Sequence, residues 1–308
     1  MNTRRSLRPL LKEQPILVSP GVYDGYSARL AERAGFSLVS TTGAGLANSR
    51  LGVPDVGLFS VRDNLEACRV IVAATGLPVS ADAETGYGNA ATVHYVVRAF
   101  EEAGVSAVSI EDQLAPKRCG HLAGKEVIPT AEMVGKIRSA VDARSSDDFL
   151  IIARTDAIAV EGIEGAVARA KAYQAAGADV IFPDAVRGRE DIERLVAAVD
   201  IPVRINMGFG IRTRSTTPLM SVRELREIGV RWVSLSRLLP AAAIQGMTQA
   251  LAVMREAIDG DVMIERPDLV ADMREITDLM GYAEYMDIER RFLDEEHVAR
   301  KYKAGGEA

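Results

Sequence analysis

The sequence predicts an α/β protein, a (β/α)8 TIM barrel with a C-terminal helical extension, on three observations. Eight short, nearly continuous apolar runs rich in β-branched residues alternate with amphipathic stretches. That is the pattern of parallel strands buried on both faces with helices between them. Odd and even runs are punctuated differently, as in a barrel built from doubled units. Eight such units also fit the usual length of a closed barrel. A doubly wound open sheet is the alternative arrangement of the same elements.

The elements follow in order. Candidate strands are 16–19, 38–41, 79–83, 107–111, 150–153, 180–182, 203–206 and 232–235. Stretches 89–103, 132–143 and 163–176 carry a helical apolar period. Ala34-Gly35, Ala103-Gly104, Ala176-Gly177 and Ile228-Gly229 precede the even strands. Each of these glycines suits the left-handed residue that closes a helix. Leu77-Pro78 and Ile201-Pro202 open the third and seventh strands, where proline is tolerated. Beyond the eighth unit, 241–257 reads as a helix. Gly260, Asp261 and Pro267 then break the chain, and 268–280 and 284–302 read as two charged helices. The expected domains are a catalytic barrel over 1–258 and a helical extension over 259–308, of a kind that packs on a neighbouring subunit.

Composition narrows the function classes. Of 308 residues, 48% are apolar and 26% charged, an ordinary globular mix that excludes disordered and collagen-like chains. With 37 basic against 43 acidic residues the net charge is −6, which argues against a nucleic-acid partner. Two cysteines and three scattered histidines make neither a disulfide framework nor a cysteine- or histidine-rich metal site. The basic start lacks the apolar stretch of a signal peptide, and no apolar run reaches membrane-spanning length. The expectation is a cytoplasmic enzyme with no membrane partner.

Barrel active sites form at the C-terminal ends of the strands, and polar residues gather there. Thr41-Thr42-Gly43-Ala44-Gly45 follows the second strand and Asp82-Ala83-Glu84-Thr85-Gly86-Tyr87-Gly88 ends the third. Glu111-Asp112-Gln113, Arg154-Thr155-Asp156, Asp184, Asn206 and Ser236-Arg237 end the later ones. Asp82 and Glu84, two apart, share one face of a strand. With Glu111 and Asp184 they place four carboxylates together, and such like charges call for a cation. Oxygen donors without histidine suit Mg2+ or Mn2+, with some carboxylates acting through water. The alternative is that these acids cap the following helices. The Gly43-Ala44-Gly45 run either presents backbone N–H groups to a carboxylate or simply turns the chain. Arg154 leaves an apolar strand and needs an anion, either a cluster carboxylate or a substrate carboxylate. Cys119 lies among Lys117, Arg118 and His121 in a glycine-bounded loop over 115–125. It reads as an acid or base whose thiol pKa the cations lower, under a mobile lid, or as an inert loop thiol. Cys68 reads as core, and His94 and His297 as structural.

These residues resemble the isocitrate lyase and phosphoenolpyruvate mutase superfamily over nearly the whole chain from about Pro20. The marks are Leu51-Gly52-Val53-Pro54-Asp55, the Asp82–Gly88 run, Ile110-Glu111-Asp112-Gln113, Lys117-Arg118-Cys119-Gly120-His121 and Ala153-Arg154-Thr155-Asp156-Ala157. The Lys-Arg-Cys-Gly-His run resembles the branch of 2-methylisocitrate lyases, 2,3-dimethylmalate lyases and related oxaloacetate hydrolases. The resemblance implies a tetramer built from helix-swapped dimers, and Mg2+ or Mn2+. It implies Asp82 as principal metal carboxylate, with Asp55, Glu84 and Glu111 holding metal-bound waters. Thr42, Gly43 and Ala44 match the segment that binds the 2-oxo acid carboxylate, and Arg154 the arginine that binds this product. Cys119 matches the cysteine that protonates the departing carbanion, in a loop that brings Gly120 and His121 to the substrate. Asp184 and Asn206 match pocket residues.

The implied reaction is Mg2+-dependent carbon–carbon cleavage of a substituted malate-like 2-hydroxy di- or tricarboxylate, a small-molecule carboxylate, to a 2-oxo acid such as pyruvate plus a carboxylate. Oxaloacetate hydrolysis and P–C chemistry on phosphonopyruvate or phosphoenolpyruvate are the rival reactions, and a barrel that only senses a dicarboxylate is the non-enzyme rival. The chain departs from the lyase pattern at several positions. Glu84 stands where Asp is usual, Thr42 and Ala44 replace Ser and Gly, and Asp184 replaces Glu. The segment from Met207 to Pro218 is longer, lacks the usual Glu and carries Arg212 and Arg214. These two arginines are candidates for contact with a distal anionic group of the substrate, against the alternative of a solvated loop.

Overall fold

The computed structural model of the chain describes residues 6–303 except Ser215, so the outermost ends of both expected domains lie outside the described residues. Eight strands form in the expected places. They are β1 (Leu17–Val22), β2 (Val39–Thr41), β3 (Val79–Asp82), β4 (Ala107–Glu111), β5 (Leu150–Thr155), β6 (Val180–Pro183), β7 (Arg204–Asn206) and β8 (Trp232–Leu235). Every paired neighbour is parallel, and β1 pairs with both β2 and β8. A parallel bridge between Ile181 and Val203 joins β6 to β7. The ring is a (β/α)8 barrel, and the open-sheet alternative is excluded.

β1 runs through Pro20-Gly21, which reads locally as a break. The barrel needs the glycine, because a Cβ at Gly21 would stand 2.4 Å from the carbonyl oxygen of Ser236. β5 continues through Arg154 and Thr155, held in register by Glu111 opposite Arg154. The expected helices form as Ala90–Glu102, Thr130–Ala143 and Ile158–Ala175. The closing glycines are left-handed, with φ of 83° at Gly35, 90° at Gly104 and 101° at Gly177 and Gly229.

The period-two alternation of strands sorts side chains into two cores. Val79, Val108, Ile110, Ile151, Ala153, Ile181 and Val233 pack outward against the helices. Leu17, Leu38, Ala107, Leu150, Ile152, Val180, Phe182 and Trp232 fill the barrel's lower interior, where Leu7 and Leu11 join them. The same parity sends Asp82, Glu111, Arg154 and Asp184 inward at the upper end.

The chain forms two compact units, one up to Ala241 and one from Ala242. The division falls inside the helix Leu238–Asp259, whereas the sequence break lies at Gly260. In the second unit, the stretch read as one helix over 284–302 is two, Tyr282–Phe292 and Glu295–Lys303. Asp294 separates them by accepting the His297 N–H at 2.7 Å, as an N-cap does. The stretch read from 268 starts at Met273 behind an Asp272–Glu275 capping box. No helix among the described residues is long and apolar enough to cross a membrane.

Candidate active site

One cavity opens among the upper strand ends. Its lining includes Thr42, Gly43, Ala44, Asp55, Asp82, Cys119, Gly120, His121, Arg154, Asp184 and Asn206. The structure thus brings together all the expected pocket residues except Glu84 and Glu111, which are buried directly behind the wall.

Asp82 ends β3 and its carboxylate is held by backbone donors, Gly43 N at 3.2 Å and Glu84 N at 3.0 Å. Its own N–H donates to Thr41 Oγ1 at 2.8 Å. Glu84 sits at φ 53°, a strained position for a residue with a side chain. It is retained by Glu111 N donating to its carbonyl at 2.9 Å and by Lys136 Nζ donating to Thr85 O at 3.0 Å. Gly43 is required here, since a Cβ would meet Glu84 Oε1 at 2.5 Å and Asp82 Oδ2 at 2.7 Å.

Lys117, quoted in the sequence only as part of a motif, enters this cluster. Its ammonium lies 2.6 Å from Asp55 Oδ1 and 2.8 Å from Glu84 Oε2. Burial opposes its charge, but Glu111, Glu84, Asp55 and Asp82 together hold its pKa well above the ordinary lysine value. Burial pushes the Glu84 carboxyl up to about 7 against the pull of Lys117, and it pushes Glu111 well up against Arg154 and Lys117.

The carboxylates are spread rather than caged. Among the described residues no three His, Cys, Asp or Glu side chains form a direct metal-ligand group. Yet Glu84 Oε1 and Glu111 Oε1 are buried with no partner, and the second oxygen of each meets only an ion-pair cation, Lys117 and Arg154. Orphaned buried oxygens around one backbone-held aspartate fit a hard cation that keeps most of its waters.

Arg154 takes the partners inside the cluster that its position demands. Nε lies 2.8 Å from Asp156 Oδ2 and 3.2 Å from Glu111 Oε2, and Nη2 is 2.8 Å from Asp184 Oδ2. Asp184 stays well below the usual carboxylate range despite burial, because Arg154, His121, Arg214 and Lys125 surround it. Asn206 Nδ2 donates to the other Asp184 oxygen at 3.1 Å. Asp156, absent from the expected set, holds the guanidinium in plane with two bonds.

The loop over 115–125 lies across the cavity. Gln113 fixes it with two bonds to the Arg118 backbone, both at 2.9 Å, and Cys119 N donates to Asp55 O at 3.1 Å. Gly120 presses on the Arg154–Asp184 pair so closely that a Cβ would fall 1.9 Å from Asp184 Oδ2. The cation beside Cys119 is not a sequence neighbour. Lys117 turns to the carboxylates and His121 to Thr216 and Arg214, whereas Arg237 Nη2 stands 3.3 Å from Sγ. Burial lowers the His121 pKa to about 4, so the ring is neutral at ordinary pH. Of the two loop arginines, Arg212 is exposed, while Arg214 bonds His121 Nε2 at 2.7 Å and the Asn206 carbonyl. Cys68 is fully buried with its thiol pushed up to about 12 by burial, an inert core residue. His94 faces Asp142 at 3.7 Å and His297 lies in the last helix, and neither lines the cavity.

A closed (β/α)8 barrel whose strand ends converge carboxylates, a clamped arginine and a loop cysteine on one cavity has the groups an enzyme needs for acid–base chemistry on small anions. The sequence model of phosphoenolpyruvate phosphomutase matches residues 7–255, and the chain belongs to that family, within the isocitrate lyase/PEP mutase superfamily. Its curated relatives include carbon–carbon lyases. The 2,3-dimethylmalate lyase of Eubacterium barkeri is 39% identical over 95% of this chain and 99% of its own. The 2-methylisocitrate lyase of Aeropyrum pernix is 40% identical over 91% and 87%. A crystal structure of 2,3-dimethylmalate lyase superposes with a TM-score of 0.85 at 34% identity, covering 92% and 93% of the two chains. A phosphonopyruvate hydrolase determined with oxalate and Mg2+ superposes with a TM-score of 0.82 at 30% identity, covering 96% and 100%.

Proposed function

We propose that the protein is a divalent-cation-dependent lyase. It cleaves a substituted malate-like 2-hydroxy di- or tricarboxylate, of the 2-methylisocitrate or 2,3-dimethylmalate kind, to a 2-oxo acid such as pyruvate and a carboxylate. The observation that carries this reading is the position of Cys119, lining the same cavity as Asp82 and Arg154. Mg2+ or Mn2+ would be held by Asp82 directly and by Asp55, Glu84 and Glu111 through water, where the orphaned oxygens stand. When bound, the cation supplies Lewis acidity toward the substrate's hydroxyl and carboxylate and keeps the nearby carboxylates ionised.

The chain's own groups do the rest. Thr42, Gly43 and Ala44 receive the carboxylate of the future 2-oxo acid; the Thr42 and Gly43 N–H groups already serve the Val22 carbonyl and Asp82, so the Thr42 hydroxyl and the Ala44 N–H are the donors left to it. Arg154, held by Asp156 and Asp184, binds the same fragment and stabilises charge on its oxygen. Glu111, behind the wall, accepts the hydroxyl proton through an intervening water. The C2–C3 bond then breaks, its electron pair passes to the departing carbon, and Cys119 donates a proton there, leaving a thiolate beside Arg237. Gly120 and His121 seal the loop and exclude water. Arg214, through His121, is the arginine that faces the distal part of the substrate.

The test is a parallel product assay with Mg2+ on 2-methylisocitrate, 2,3-dimethylmalate, isocitrate, oxaloacetate and phosphonopyruvate. The expected outcome is a 2-oxo acid or glyoxylate with its partner carboxylate, abolished by EDTA. Cys119→Ser should lower turnover by about 10^3-fold, within the usual range for a lost general acid, and leave product binding intact. Oxalate with acetate from oxaloacetate would assign the hydrolase reaction instead, and turnover of phosphonopyruvate alone would assign P–C chemistry.

Assembly is part of the same reading. Ile244, Met247, Leu251 and Met254 are exposed on the helix Leu238–Asp259, which supports a tetramer of helix-swapped dimers. Light scattering that finds a monomer would overturn it.

A further inference from the structure

The layer beneath the carboxylates departs from the branched aliphatic filling usual in such barrels. Ser80, Ser109 and Arg204 line the bottom of the cavity beside Phe182. The strand parity that sends Asn206 inward also sends Arg204 inward, and Arg204 Nη1 reaches across the barrel to Ser80 Oγ at 3.4 Å. The guanidinium is sandwiched between Phe182 and Trp232, each ring centroid 4.6 Å away. It is 4% exposed, and its Nε has no partner, nor has the Ser109 hydroxyl. Among the described residues it forms no ion pair. Ring stacking offsets part of the cost of burying this cation, but an under-bonded buried guanidinium remains expensive unless an anion completes it.

The proposed cleavage says which part of a substrate meets this floor. The carbon that becomes the 2-oxo carbon carries four substituents. Its carboxylate goes to Thr42–Ala44, its oxygen to the Asp82 and Arg154 side, and the breaking bond faces Cys119. The fourth substituent is left to the floor. We infer that Arg204, with Ser80 and Ser109, binds an anionic group in that place, so that the 2-oxo acid half of the substrate is a dicarboxylate rather than one ending in a methyl group. This rests on the cleavage reading, keeps its bond-breaking step, and replaces its pyruvate-forming substrate by one whose 2-oxo acid half carries a second anionic group. Burial lowers the Arg204 pKa to about 9, which leaves it charged at neutral pH.

Two stable ligands isolate this substituent. Lactate carries a methyl group on its hydroxyl-bearing carbon, and tartronate carries a carboxylate in the same position. Calorimetry with the Mg2+-loaded protein should show tartronate binding about 10- to 100-fold tighter than lactate, the range of a charge-assisted hydrogen bond. Arg204→Leu should lower that ratio by about 10-fold or more and keep lactate binding, while Arg204→Lys should retain part of it. Chelation of Mg2+ by tartronate is common to all three proteins, so the change in ratio reads the arginine. Thermal melts and the Arg204→Gln variant separate loss of the contact from loss of the fold. An equal ratio in wild type and Arg204→Leu, or wild type that does not bind tartronate, overturns the inference. The product assay above stands apart from these outcomes. If that assay yields pyruvate while Arg204→Leu leaves the ratio unchanged, the lyase reading survives and this inference does not.

Discussion

Glu111 and Asp112 are consecutive at the end of β4, and both are buried, at 1% and 0% exposure. Strand alternation turns them to opposite sides. Asp112 faces the helical layer and accepts from four donors: Thr155 Oγ1 at 2.7 Å, Asp156 N at 2.9 Å, Arg169 Nη1 at 3.2 Å and Tyr173 OH at 2.7 Å. Glu111 faces the barrel, with Arg154 Nε at 3.2 Å in ion-pair contact and no hydrogen-bond donor on either oxygen. Burial raises the pKa of both carboxyls, but the direction alone does not separate them. The completeness of the hydrogen bonding does. A saturated buried carboxylate serves the fold, and one left open faces something the chain does not itself supply.

The comparison makes its largest prediction on the saturated side. Asp112→Ala leaves the Tyr173 hydroxyl, the Thr155 hydroxyl and the Asp156 N–H buried without this acceptor and leaves Arg169 only Glu161 as an anionic partner; it should cost about 3–5 kcal/mol of stability, read by urea unfolding. Activity per folded molecule should stay near wild type. Lost activity in a stable Asp112→Ala protein would break the distinction.

The next effect is on the open side. Glu111→Gln removes a charge that no hydrogen bond rewards, so the thermal midpoint should stay or rise. Turnover should fall by about 10^2- to 10^3-fold, as for a lost proton acceptor. A large drop in stability would place Glu111 with Asp112.

The smallest effect comes from a third, partly buried titratable group. His121 bonds Thr216 Oγ1 at 2.8 Å and Arg214 Nη1 at 2.7 Å, and its folded pKa falls from 6.5 to about 4, chiefly by burial. The folded chain therefore binds fewer protons than the unfolded chain between these values. The stability it contributes is complete above 6.5 and is lost as pH falls through about 4. Acidification across this window should lower the wild-type midpoint by about 2–4 °C for each kcal/mol lost. His121→Gln should flatten that slope, and an unchanged slope would show that His121 is not buried neutral in solution.

Much of the fold was legible in the sequence because each strand is a local apolar run closed by a local glycine or proline. Pro20-Gly21 concealed the end of β1, since the need for Gly21 comes from Ser236, far along the chain. Most of the site was legible too, through Asp82, Arg154, Asp184 and Cys119 at strand ends. Three cations were not. Arg204 sits in an ordinary strand, and nothing local reveals that Phe182, Trp232 and Ser80 surround it. Lys117 was visible only as a neighbour of Cys119, although its ammonium turns away to Asp55 and Glu84. Arg237 stands at a strand end with no local sign that it meets Cys119, 118 residues earlier in the chain.

The sequence by itself determined the order of strands and helices, the parity that sends alternate side chains inward, and the inventory of chemical groups at the strand ends. These follow from local periodicity and from the rule that apolar runs seek burial. Only the tertiary structure decided which groups meet. Closing the ring sets Arg154 against Asp184, lays Gly120 on that pair, and brings Arg237 to Cys119. It also decided which buried carboxylates find donors and which remain open. Hydrogen bonds and ion pairs act over about 3–4 Å, and a linear sequence does not carry that distance.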